Sequence, residues 1–334
     1  MKRFIGIDDG YDETKVVLDD GTCIKIPSQA KAGEQTNVML KGGDAKVFTY
    51  STDEGRFSVG NIREADPTSF DDYPLSAMNR VIVAHALRSA GVSSDDQIVC
   101  ATGLPLKKFY KGGKPNESLI LAKTSNLLMN DVNSLDGYKV PKIVHHEVLS
   151  EGVAAWMDFV IDEDDKGRLY FNEEYLDLRM AFIDIGGRTT DIAVVRQGEL
   201  EMDRSNTIEL GMLKVKNDIR EELHQSFETE ISTEQMRGIM DSGTLKMWGK
   251  THDVRDIVST KLKENSQRIF SEVKLCLKNA SDIDMVVFVG GTVIKMHENI
   301  QGWFKNQTIA ELPEYANGRG MGKYVRYLDQ KAKK

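Results

Sequence analysis

The feature that most constrains this chain is one short unit written twice. Residues 4–17 read FIGIDDGYDETKVV and residues 181–195 read AFIDIGGRTTDIAVV. Asp8 and Gly10 match Asp184 and Gly186, Lys15 falls on the place of Asp191, and Val16 and Leu18 match Ile192 and Val194, every pair 176 positions apart. Each copy is an apolar run that drives into a carboxylate and a glycine and then alternates outward: VVLDDGTCIKI after the first turn, IAVVRQGELEM after the second. That is the pattern of a strand, a tight turn and a second strand. Asp20-Gly21 is a type I′ hairpin signal, and Gln197-Gly198 sits at nearly the equivalent place. A unit repeated at half-chain spacing predicts two related domains, each opening with the same β-unit.

Composition fits that plan. The 334 residues leave room for two domains with a core in each, and 40% hydrophobic with 29% charged residues is the balance of an ordinary soluble globular protein. The opening MKRFIGIDD has too short an apolar stretch for a signal peptide or a membrane span, so a cytoplasmic protein is expected. Cys23, Cys100 and Cys276 lie far apart with no CxxC, which predicts reduced thiols and neither a zinc site nor a disulfide framework. The net charge of −8 argues against direct binding to DNA, which rests on phosphate neutralisation. One local basic stretch, KKFYKGGKPNESLILAK, carries Lys107, Lys108, Lys111, Lys114 and Lys123 and reads as a solvated loop or as a docking patch for an acidic partner or a neighbouring subunit. The charged FVIDEDDKGRLYFNEE from residue 159 reads as an exposed connection.

The turns suggest the chemistry. An apolar strand feeding D-x-G sets backbone amides at its tip, with Gly10 or Gly186 allowing an anion to approach closely. Two such tips facing each other would clasp a polyphosphate. Asp8 and Asp184 would repel it unless a divalent cation stood between, and magnesium, which keeps its waters and is held indirectly by carboxylates, suits that role. Lys15, leaving the first turn, would aim its ammonium at the phosphates. A third motif, DMVVFVGGTVIKM at 284–296, reads as a buried strand whose Gly290-Gly291 opens a helix, a junction on which a phosphate or flat ring can lie. The junction is common by itself; its position after the two D-x-G units gives it weight.

In that order the motifs resemble the superfamily of actins, heat-shock chaperones and sugar kinases, and within it the plasmid-segregation actins of the ParM (StbA) type. FIGIDDGYDETKVVL is similar to the family's first phosphate loop, FIDIGGRTTDIAVV to the second, and VVFVGGTVIK to its adenosine motif. HHEVLSEGVAAW, from His145, resembles the first connecting helix, and Glu147 falls where the family carries the glutamate that positions the attacking water. On such a helix Glu151, one turn on, shares its face and competes for the role. His145 and His146 would point apart, with no further ligand at metal spacing, so no metal is expected there. IVCATGLPLKKFYKGGKPNES and YANGRGMGKY (from Tyr315) complete a resemblance that runs over nearly the whole chain. One departure is Tyr11, where the family carries Ser or Thr; backbone amides can still serve the phosphate.

The resemblance implies an α/β, ribonuclease H-like duplicated, actin-like fold of two domains around a central nucleotide cleft. The expected division is 1–150, with an inserted subdomain at about 30–95 and the C-terminal segment 315–334, against 151–314, with a small subdomain at about 215–260. It implies an ATPase, with GTP left open as the nucleotide, that uses Mg2+ and polymerises into dynamic filaments that segregate plasmid DNA. Its partners would be itself and a centromere-binding adaptor of the ParR type; DNA would be engaged only indirectly and a membrane not at all. Glu147 and Asp184 are the catalytic candidates, and Asp8 and Asp184 would hold the metal through water. The nucleotide set is Asp8, Asp9, Gly10, Tyr11, Lys15, Gly186, Gly187, Arg188, Thr189, Gly211, Lys261, Glu264, Gly290 and Gly291. A small-molecule kinase or non-polymerising ATPase of the same superfold is the alternative; a chaperone would need a peptide-binding domain for which no sequence remains.

Overall fold

The computed structural model describes residues 1–36, 47–60, 62 and 64–333; the remaining part of the expected inserted subdomain lies outside the described residues. Two sheets of the same design carry the chain. The first has the order Lys142–Ser150, Gln97–Leu104, Lys2–Asp9, Glu13–Val17, Cys23–Pro27. The second has the order Gln307–Ile309, Met285–Val289, Arg179–Ile185, Thr190–Arg196, Glu199–Leu200. In both, an antiparallel hairpin is extended on one side by two parallel strands. Asp8 stands opposite Lys15 and Asp184 opposite Asp191, so the repeat holds down to register.

The central strands are continuous apolar runs because both faces of each sheet are covered. One face of the second sheet (Ala181, Ile183, Val286, Phe288) packs on the helices Met212–Phe227, Thr233–Ser242 and Arg255–Leu277. The other (Met180, Phe182, Val287, Val289) packs on the helix Val153–Val160, the hairpin Ile161–Glu163/Leu169–Phe171 and the C-terminal helix Ala316–Ala332. The first sheet likewise sets Ile5, Ile98 and Cys100 against the helix Ala77–Ser89, and Val99, Ala101 and Leu149 against Ala154, Met321 and Val325.

The C-terminal helix approaches its neighbours backbone to backbone. A Cβ on Gly6 would fall 1.7 Å from the Gly318 carbonyl oxygen, and one on Gly320 would fall 1.7 Å from that of Ala154. The glycines of NGRGMG therefore let one helix lie flush on both the first strand and the helix that follows Glu151.

Several expectations change in the structure. Residues 145–150 are strand, paired in parallel with Gln97–Leu104, so His145 and His146 point to opposite faces and Glu147 and Glu151 do not share a helical one. The β-branched Ile143, Val144 and Val148 suit a pleated surface, and the helix starts only after Gly152. Residues 161–171 form a hairpin rather than an open connection, rooted by the buried Ile161 and Leu169. Lys123 is buried and leaves the basic stretch entirely. Gln197 and Gly198 both have positive φ (53° and 75°), as a type I′ turn requires, but at Asp20-Gly21 only Gly21 does, within a longer turn. Among the described residues no disulfide forms, Cys23 and Cys276 are only half-buried, and no helix is long and apolar enough to cross a membrane.

Gly320→Ala should lower stability by about 3 kcal/mol, because the added methyl must push two backbones apart. Gly238→Ala is the control: it sits inside a helix with nothing within 4 Å of its added methyl. It should be neutral or stabilise by up to about 1 kcal/mol. Urea unfolding midpoints at constant slope check both, and equal effects would contradict the close-packing account.

Candidate functional site

A cavity of about 630 Å³ opens at the carboxyl ends of the parallel strands of both sheets. The first turn lines it with Asp8, Gly10–Glu13 and Lys15, and the second with Asp184 and Gly186–Thr189. Gly290, Gly291 and Thr292 close one side. Met212, Lys216, Arg220, Met236, Arg237, Met240 and Ile294 form a far wall of mixed apolar and cationic character. The two turns face each other at contact distance: a Cβ on Gly187 would lie 2.6 Å from the Cβ of Asp12. Gly290 has φ +95°, and its Cβ would strike Asp184 Oδ1 at 2.3 Å, so both its dihedral and its space require glycine.

Three acidic side chains, Asp8, Asp184 and Glu151, line the floor, and a fourth, Asp191, lies buried behind it within reach of their charge. Asp8 accepts from Lys15 Nζ at 2.9 Å. Burial alone would pull the Lys15 ammonium down, but the charge and hydrogen bond of Asp8 outweigh it and hold its pKa above the usual value. Asp184 accepts from Asn317 Nδ2 at 2.6 Å. Burial, followed by the charges of Asp8 and Asp191, pushes Asp184 up to about 7. Asp191 accepts from the Leu106 amide at 2.7 Å and from the Thr207 and Thr189 hydroxyls, yet burial still raises it to about 6. Glu151, half-buried over Gly103 in the turn just after its strand, is pushed well up by burial and then by Asp191, Asp8 and Asp184.

These are acids crowded together with one neighbouring ammonium, a donor set that a divalent cation would relieve. Among the described residues no three of His, Cys, Asp or Glu converge closely enough to cage a metal by themselves. The set therefore fits a magnesium held through water and phosphate oxygens rather than a protein-only cage. A second sign of an anionic guest is Arg188 on the cavity wall. Its Nη2 donates to Asp71 at 2.8 Å and its guanidinium lies 5.2 Å over the Tyr11 ring, while its buried Nη1 has no hydrogen-bond partner.

The expected site residues divide by position. Asp8, Gly10, Tyr11, Lys15, Asp184, Gly186, Gly187, Arg188, Thr189, Gly290 and Gly291 all line the cavity. Asp9 does not. As the next residue on a strand it points the other way, into a buried bond with Lys123 Nζ (2.9 Å) and Asn79 (2.9 Å). Gly211 lies behind the second turn, where the following amides of Met212 and Leu213 donate to the Gly186 and Gly187 carbonyls at 3.1 and 2.8 Å. Lys261 and Glu264 pair with each other, and Lys261 with Glu222 at 3.3 Å, away from the cavity wall. Glu147 is also off the wall: it bonds His145 Nε2 at 2.8 Å on the strand's outer face. His146 is buried against the Thr102 hydroxyl (2.9 Å) and held down to about 3 by burial, a neutral packing histidine.

Residues the sequence did not reveal hold the halves together. Lys216 reaches across to Asp12 at 2.6 Å, and Asn317 of the C-terminal helix joins the Gly152 amide to Asp184. The 212/216/220 spacing of one helix face was a legible signal for Lys216 and Arg220; Asn317 had none.

The raised Asp184 gives a pH dependence with a definite sign. Its pKa is about 7 in the fold against the ordinary 3.8, so the folded state keeps a proton that the unfolded chain has lost. Stability from that proton is present at low pH and is lost as pH rises toward 7. Asp184→Asn stays neutral throughout. Its melting temperature without nucleotide should therefore gain on the wild type between pH 4 and pH 7 and hold a constant gap above. A gap that does not change with pH would contradict the assignment.

Comparison with known proteins agrees with this geometry. The profile of the plasmid segregation protein ParM, N-terminal part, matches residues 2–161, and that of the archaeal actin homologue MreB-like C-terminal part matches residues 182–302. No curated protein sequence matches the chain significantly. A 15-stranded ParM filament from Clostridium botulinum is similar in structure at TM-score 0.75 and 19% identity, over 97% of this chain and 99% of that one. A non-polymerisable quadruple mutant of pCBH ParM is similar at TM-score 0.75 and 19% identity, over 99% and 100%. An archaeal actin homologue in complex with ADP is similar at TM-score 0.73 and 18% identity, over 98% and 99%. The duplicated sheets, the facing turns and these matches together identify an actin-like fold, and the chain is a ParM-type actin-like protein, matched by the ParM family in its first half and by the archaeal MreB-like actin homologues in its second.

Proposed function

We propose that the protein binds and hydrolyses ATP in this cleft and polymerises in an ATP-dependent manner, hydrolysis driving disassembly, to move plasmid DNA in the cytoplasm. The observation that carries the reading is the pair of turns facing each other over buried acids, with an unpaired Arg188 nitrogen on the wall. The phosphates would lie between the turn amides of residues 10–12 and 186–189, with Lys15 and Arg188 supplying positive charge. Met236, Met240 and Ile294 offer an apolar bed for the base, and Lys216 and Arg220 polar groups beside it. Asp8 and Asp184 would hold magnesium through water, and the ion, when bound, neutralises charge on the transferring phosphoryl group.

For the attacking water we assign Glu151 in place of Glu147. Glu151 lines the cavity and Glu147 does not. With its pKa pushed up by burial and neighbouring acids, Glu151 is a better proton acceptor than an ordinary carboxylate and can orient a water toward the phosphate. Asn317 fixes Asp184, so the C-terminal helix positions the acid without touching the guest. The similarity to a ParM filament supports self-assembly. An adaptor bound to a centromere-like site would couple filaments to DNA, in keeping with the acidic net charge of −8. The two sheets support the division at about residue 150, with the C-terminal segment returning to the first half.

Glu151→Gln should cut phosphate release by roughly 10²-fold or more while nucleotide binding persists, and Glu147→Gln should change it less than about threefold. Right-angle light scattering after ATP and magnesium should rise and then decay in the wild type, and persist in Glu151→Gln. Phosphate release from the start with no critical concentration and no scattering would instead favour a small-molecule kinase or monomeric ATPase.

A further inference from the structure

Lys123 is a buried charge with no part in the site described so far. It stands on the helix Glu117–Leu128 with its side chain 1% exposed, and neither it nor Asp9 lines the cavity. Its ammonium donates to Asp9 Oδ1 at 2.9 Å and to the Gly103 carbonyl oxygen. Asn79, on the helix Ala77–Ser89, donates to the other Asp9 oxygen at 2.9 Å, so both carboxylate oxygens are held. Taking an ammonium and a carboxylate out of water is costly, and apolar side chains of like volume in such a place are often as stable or more so. Stability alone therefore does not account for the pair.

Its two acceptors stand at the two places that hydrolysis must bring together. Asp9 lies between Asp8 and Gly10, so anchoring it anchors the first turn. Gly103 is the seat of Glu151. The Glu151 amide donates to the Leu104 carbonyl at 2.8 Å, and a Cβ on Gly103 would meet Glu151 Cγ at 2.9 Å and Oε1 at 3.1 Å. One ammonium thus grips the residue behind the phosphate turn and the backbone on which the acid lies. We propose that Lys123 is a positioning residue for hydrolysis, its ammonium fixing from behind the cavity the separation between the first turn and Glu151. That separation has little tolerance, since a misplacement of about 1 Å can cost ~10²-fold in rate. The inference rests on the assignment of Glu151 to the attacking water and names what holds that acid in place.

Single-turnover phosphate release from radiolabelled ATP with magnesium, and binding of a fluorescent ADP analogue, are measured at one protein concentration. The proteins are wild type, Glu151→Gln, the double variant D9N/K123M, Gly103→Ala, and the last two each combined with Glu151→Gln. D9N/K123M removes both charges together, because Lys123→Met alone would strand a buried carboxylate. It should bind the analogue within about threefold of wild type and release phosphate about tenfold or more slowly. In the Glu151→Gln background it should add no further loss, since both changes act through one acid. A pair with a merely structural role would weaken analogue binding, or lower release by the same factor in both backgrounds, and either result overturns the proposal. Release by D9N/K123M at the wild-type rate overturns it too. Gly103→Ala leaves the ion pair intact and lifts the acid, its methyl meeting the side-chain ends of Glu151 and Met321. It should show the same dependence on Glu151, and it decides the matter if D9N/K123M does not fold. Glu151→Gln that releases phosphate at the wild-type rate overturns the assignment of the acid and the proposal with it. A loss confined to Glu151→Gln overturns the role of Lys123 alone.

Discussion

The constraint on which the rest depends is the contact of bare backbone on bare backbone beneath the C-terminal helix. Gly6 against Gly318 and Gly320 against Ala154 leave no room for a side chain, so the helix has one depth and one rotation. That rotation turns Asn317 toward the Gly152 amide and Asp184 at once. A single amide thus ties the end of a strand in the first sheet to the turn of the second. The cleft geometry is set from behind, by packing, before any ligand enters.

With the halves so fixed, the acids cannot move apart to relieve their repulsion. Asp184 is held at about 7 by burial and by like charge, Asp191 at about 6 by burial, and Glu151 well above its usual range by both. In a mobile site such groups would rotate outward and hydrate. Here Thr207, Thr189 and Leu106 hold Asp191, and Lys15 holds Asp8. The strain stays stored as a high affinity for positive charge.

Much of this was legible in the sequence because a repeat constrains more than a motif does. The offset between the copies carried the hairpins, their register and the glycines at their tips. The residues that failed to follow did so for definable reasons. HHEVLS reads as a helix in sequence, but it is a parallel edge strand whose alternation is masked by two adjacent histidines and a register shift at residues 143–145. That one change of period moves the candidate acid from Glu147 to Glu151, because the turn at the strand's carboxyl end, and not the strand's middle, lines the cleft. Asp9 reads like Asp8 in sequence and differs only by the pleat. Lys261 and Glu264 were placed by rough position, and a long helix carries them to a surface pair with Glu222. Asn317 reaches the site across 133 positions of chain, a distance over which no local pattern speaks.

The repeat is also imperfect at one informative position. Where the first hairpin sets a lysine opposite its aspartate, the second sets another aspartate. A clasp with identical jaws would accept a guest either way round. Here one jaw brings its own positive charge and the other brings a second negative one, with apolar methionines to one side only. A molecule with a charged tail and a flat apolar head then has a single orientation in which both ends are satisfied, and the broken symmetry of two residues gives the cleft its polarity.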